Sequence, residues 1–156
     1  LSYRLLVPNL TTDSLTLGIG YDRENCDSGS YHGEVHIDHY GRKVPKGAHG
    51  TIRLDPPSNL AGSLIQAASE LFEQITDPRL LIRRITITAN RVMKDDGIYQ
   101  LNLFTDTKKL EKEKKLQESM LDIRKRFAKN ALLKGTSFLD GATMRERNGQ
   151  IGGHKA

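Results

Sequence analysis

Between Leu60 and Ile75, the apolar residues Leu60, Leu64, Ile65, Ala68, Leu71, Phe72 and Ile75 recur at helical spacing, and Asp77-Pro78 stops the run. A few residues later the period drops to two. From Leu81 to Val92, Ile85, Ile87 and Ala89 alternate as inward positions with Arg84, Thr86, Thr88 and Asn90 as outward ones. A helix that passes directly into a strand buries its apolar stripe by lying on the sheet that the strand joins. The chain is therefore expected to be α+β, an antiparallel sheet with helices packed on one face. Ser58 or Asn59 stands where it can cap the helix.

The segments before the helix supply the rest of the sheet. Leu15, Leu17, Ile19 and Tyr21 alternate with Ser14, Thr16, Gly18 and Gly20, which predicts a strand with one core face. Its other face is small and flat, so a large ligand can come close to the backbone. Residues Thr51 to Leu54 read as a second strand, with Ile52 and Leu54 inward, Thr51 and Arg53 outward, and Pro56 and Pro57 as its end. Tyr3 to Leu6 reads as the last turn of a helix stopped before Pro8. Asp22 to Gly50 is polar and glycine-rich, with a short hairpin suggested where Val35 and Ile37 alternate with His36 and Asp38. Beyond Asp95-Asp96-Gly97, a charged helix is expected from Lys108 to Asn130. Leu116, Met120, Ile123 and Phe127 form its seam, Gly135 closes it, and a polar tail follows from Gly141 to Ala156.

Charge and cysteine content narrow the setting. Lys and Arg number 24 against 19 Asp and Glu, a formal net charge of +5 that favours a polyanionic partner. No apolar run approaches the length needed to span a bilayer, and the first residues make a poor signal peptide. The single cysteine, Cys26, cannot staple the chain internally, which suits a reducing cytoplasm.

Two constellations carry a chemical meaning. Gln100-Leu101-Asn102-Leu103-Phe104 lies beyond a turn and before the charged helix, where it can be presented as an extended peptide. Gln100 then offers an amide, and Leu103 with Phe104 an apolar plug for a groove; as an edge strand the same residues place Leu101 and Leu103 on one face. The second constellation is the outward sheet face of Thr16, Gly18, Thr51, Arg53, Arg84, Thr86, Thr88 and Asn90. Hydroxyls, amides and guanidiniums on a flat surface can bond phosphate oxygens, which gives position without base specificity.

QLNLF resembles the motif by which bacterial polymerases and repair proteins dock onto the replicative sliding clamp. The segment before it resembles the little finger domain of Y-family translesion DNA polymerases, in particular the ImpB/MucB/SamB (UmuC-like) group. The matching pieces are SLTLGIGY (Ser14 to Tyr21), PPSNL (Pro56 to Leu60), LLIRRITIT (Leu80 to Thr88) and the tail RERNGQIGGHKA (Arg145 to Ala156). The resemblance implies residues 1–98 as a little-finger-like DNA-binding domain, 99–106 as a clamp-binding segment with Gln100, Leu101, Leu103 and Phe104 as its anchors, and 107–156 as a charged helix and basic tail. It implies that the outward face lies along duplex DNA. The stretch from Cys26 to His49 is longer than the simple hairpin of the general family.

The chemistry of nucleotidyl transfer is not expected here. Polymerases hold two Mg²⁺ ions on carboxylates, and Asp22, Asp38 and Asp55 sit in turns without a supporting motif. In the family those carboxylates and their Mg²⁺ belong to an upstream palm, so this piece is expected to be inactive alone and to need no cofactor, while its parent is a DNA-directed DNA polymerase. His32, His36, His39 and His49 near Cys26 lack the paired spacing of a structural zinc site, and no metal is expected. The little finger has four strands and two helices, whereas this chain opens at the end of the first helix. An exposed sheet edge and apolar helix seat would follow, which invites homodimerisation. The alternative reading is a stand-alone, non-enzymatic α+β protein-interaction module.

Overall fold

The first strand reaches further than its regularly alternating stretch. In the computed structural model, which describes residues 1–27, 29, 31–96, 107–128, 130–151 and 154–155, strand β1 runs over Leu10–Tyr21. It is the middle strand of a three-stranded antiparallel sheet, between β4 (Ala48–Ser58) and β5 (Ile82–Lys94). Helix α3 (Ala61–Ile75) lies on β4 and β1, and the five-residue α1 (Ser2–Leu6) lies on β1. The helix-on-sheet expectation holds. The chain divides into two units, Leu1–Thr105 and Asp106–Ala156.

The core of the first unit is the inner face of β1 against the buried stripe of α3. Leu15 packs with Leu5, Leu64 and Ala67; Leu17, Ile19 and Tyr21 pack with Leu71. Each large aliphatic side chain buried in this way stabilises the fold by about 1.5–3 kcal/mol. Register keeps the same face inward on all three strands: Leu15 pairs with Ile52 and Ala89, and Leu17 with Gly50 and Ile87. Buried Asn25, in the one-turn α2 (Glu24–Asp27), ties the end of β1 to the entry of β5. Its Nδ2 donates to the carbonyls of Asp22 and Leu81 at 2.7 and 3.0 Å, and its Oδ1 accepts from the Leu81 N–H at 2.8 Å. A small hairpin, β2 (Val35–Ile37) with β3 (Lys43–Pro45), fills part of the long polar connection.

Several element ends differ from the sequence expectation. Pro56 and Pro57 do not end β4, which continues to Ser58 opposite Thr12. The register with β1 shifts between Arg53 and Ser58, so neither proline stands at a paired position, and the outer side of an edge strand needs no ladder bond. Neither Ser58 nor Asn59 is the helix cap. The N-cap is Leu60, whose N–H donates to Ser58 Oγ at 3.1 Å, while Asn59 Nδ2 reaches back to the Leu10 carbonyl at 2.9 Å. Ile65 leaves the apolar stripe and is 56% exposed. Ile85 and Ile87 do point inward, yet they stay 51% and 45% exposed because α3 covers β4 and β1 rather than β5.

In the second unit, α4 spans Thr107–Phe127. The expected seam is not its covered face: Leu116 and Phe127 are exposed, while Gln117 is buried. The helix also ends earlier than Gly135, at Ala128, which takes φ +72°. Gly135 instead opens a short 3₁₀ turn, Gly135–Phe138. The tail holds α5 (Met144–Asn148) and a small hairpin of β6 (Gln150–Ile151) and β7 (His154–Lys155).

Candidate functional site

Period two on three registered strands arranges the outward residues in rows across the sheet. One row is His49, Gly18 and Thr86; the next is Thr51, Thr16 and Thr88; the third is Arg53, Ser14 and Asn90. Gly20 opposite Arg84 precedes them. Rows follow one another at two residues, about 6.7 Å along a strand. All eight residues expected on this face, Thr16, Gly18, Thr51, Arg53, Arg84, Thr86, Thr88 and Asn90, lie on the side away from α3.

The polar groups in the middle of the face are organised by one another. Thr16 Oγ1 lies 2.7 Å from Thr51 Oγ1 and accepts from Asn90 Nδ2 at 2.7 Å. These side chains therefore hold fixed orientations, and they remain near enough to solvent to exchange a partner with an incoming oxygen. The cations differ in their company. Arg91 stands 3.1 Å from Asp13, which lies in β1 between Thr12 and Ser14 where the register with β4 shifts. Among the described residues, neither Arg53 nor Arg84 is in an ion pair. Both are exposed and keep their full charge for a ligand.

Near the Arg84 end the face dips into a shallow depression of about 200 Å³, lined by Gly18, Gly20, Gly47, His49, Arg84 and Thr86 together with Ile19 and Ala48. Its floor is backbone, because Gly18 and Gly20 carry no side chain. Gly20, already placed on the outward face by alternation, and His49, weighed only as a metal ligand, were not among the eight residues expected to contact a ligand. The signal was present: Gly20 continues the alternation of Gly18, and His49 that of Thr51 and Arg53, once β4 is allowed to begin at Ala48.

The β2–β3 turn is held together by a local network. Asp38 accepts from the backbone N–H groups of Tyr40 and Arg42 at 2.8 and 3.0 Å, and from the Arg42 guanidinium at 2.9 and 2.7 Å. The Arg42 guanidinium, then its backbone N–H, hold the Asp38 carboxyl down to about 2. Arg42 also lies over the Tyr40 ring, 4.7 Å from its centroid. The expected clamp-binding residues Gln100, Leu101, Leu103 and Phe104 lie outside the described residues. No group of His, Cys, Asp and Glu among the described residues could hold a metal ion, and no described helix is long and apolar enough to cross a membrane.

The chain is similar to two proteins named DNA polymerase IV 2. One, from Bacillus subtilis, is 31% identical over 110 residues, 70% of this chain and 26% of the relative. The other, from Halalkalibacterium halodurans, is 28% identical over 112 residues, 72% of this chain and 26% of the relative. A third, "Putative UV-damage repair protein UvrX" of Bacillus subtilis, is 25% identical over 143 residues, 92% of this chain and 29% of the relative. The chain thus spans little more than a quarter of the length of these relatives. No family model matches it, and neither does any solved structure. The relatives bear out the resemblance to Y-family DNA repair polymerases.

Proposed function

We propose that this chain is the DNA-gripping and clamp-tethering part of a Y-family translesion polymerase and carries no nucleotidyl-transfer chemistry of its own. The outward sheet face carries the reading. It sets hydroxyls, an amide and two unpaired guanidiniums in registered rows over a flat floor. Such a face suits phosphate oxygens and offers nothing aimed at base edges, which is what an enzyme that copies damaged templates needs. The names of the relatives give DNA as the polyanion to which the surplus of basic residues answers.

The chain should bind mixed-sequence duplex DNA with steep salt dependence. Replacing Arg53 and Arg84 together by alanine should weaken binding to all sequences and flatten the slope of log K against log salt by about 2. Titration of a labelled duplex at several salt concentrations measures both; no binding at low salt would leave the protein-interaction module as the reading. For the tether, Leu103→Ala with Phe104→Ala should abolish binding to the replicative sliding clamp while DNA affinity persists. Clamp affinity retained by that variant would remove Gln100 to Phe104 from the proposal.

A further inference from the structure

His49 stands on the proposed DNA face and has no part in the grip described so far. It lies at the start of β4 on the outward side, opposite Gly18 and one row from Thr51. It shares the depression with Arg84, whose side chain lies along the edge of Gly20: a Cβ built there would stand 3.8 Å from Arg84 Nε. The wall beside His49 is close-set, since a Cβ on Gly47 would meet the Ile19 carbonyl oxygen at 2.6 Å. The depression is thus a backbone-floored notch with an imidazole and a guanidinium at its rim.

Building on the DNA-binding reading above, we infer that His49 is a DNA-phosphate contact that engages in its protonated form, with Arg84 as a second ligand of the same phosphate. A protonated imidazole offers two N–H donors and a charge; the neutral ring offers one donor and no charge. A phosphate bound at the notch therefore favours the protonated form. Histidine is the side-chain type whose ordinary titration falls between pH 5 and 8. Among the described residues that line the notch, none is a carboxylate that could take the place of the phosphate. β5 brings Arg84 to the notch, and β1 brings no titratable group to this face between Asp13 and Asp22. Along β4 the nearest charges are Lys46 before the strand, paired with Glu34 of the hairpin segment at 2.9 Å, and Arg53 and Asp55 further on.

Duplex affinity should then fall as pH rises through the histidine range, and the salt dependence should change with it. Titrating a labelled mixed-sequence duplex at about pH 5.5 and about pH 8 should show log K against log salt steeper by about 0.9 at the lower pH, one extra phosphate neutralised. His49→Gln should show the shallower slope at both pH values and His49→Lys the steeper slope at both, which a merely structural role would not produce. His36→Gln with His39→Gln should leave the pH effect intact. The inference is overturned if wild type binds with one slope at both pH values, if His49→Gln keeps the change, or if the hairpin variant loses it. In each of these cases the DNA reading stands. Absence of duplex binding at any pH would overturn both.

Discussion

A Cβ on Gly47 would come within 2.6 Å of the Ile19 carbonyl oxygen, an atom of the central strand rather than the tip of a movable side chain. Gly47→Ala must therefore displace backbone, and it should destabilise the first unit by about 1–3 kcal/mol in chemical denaturation. Asp38 makes a different residue-level prediction. Its pKa in the folded chain, about 2, lies below the ordinary aspartate value, so the ionised carboxyl favours the folded turn. That contribution is complete above roughly pH 4 and is lost as pH falls toward 2. A carboxyl-carbon NMR titration of Asp38 should show the depressed midpoint, and Arg42→Ala should return it toward the ordinary value. The sequence placed Asp38 in a turn of a short hairpin, but nothing in the spacing of Asp38, Tyr40 and Arg42 disclosed the bonds between them, which form around Gly41 at φ +75°.

Helix α3 shows what periodicity can and cannot reveal about an element. The stripe from Leu64 to Ile75 was legible, since residues three and four apart share a face whatever that face meets. Its width was not, because width depends on how many strands the helix covers. Leu71 lies on β1 in the core at 4% exposure, whereas Ile65 is left in water. Leu71→Ala should cost about 2–5 kcal/mol, and Ile65→Ser should stay within about 0.5 kcal/mol of wild type; thermal or denaturant unfolding of the two variants separates them. Strand ends were illegible for a related reason. The extension of β4 through Pro56 and Pro57 depends on its place at the sheet edge, a property of neighbours rather than of the strand. The candidate site followed the same rule: the eight outward residues and Gly20 follow from alternation, while His49 depended on where β4 begins.

At the scale of the whole molecule, the proposed DNA affinity rests on three strands in register, so it should be lost together with the fold of the first unit. Denaturant titrations read by duplex binding and by far-ultraviolet circular dichroism are expected to coincide for that unit, and binding that outlasts the sheet would contradict the registered face. The order of the strands also has a consequence in time. Leu17 of β1 meets Gly50 on one side and Ile87 on the other, and the second partner lies about twice as far along the chain. Closing the longer loop costs about 0.6 kcal/mol more entropy, and distant pairings form slowly. As a ribosome releases the chain, β1 and β4 can join while β5 is still unmade. Arg84, Thr86, Thr88 and Asn90 arrive with that last strand, so a nascent chain lacks the complete outward face until synthesis has passed Lys94.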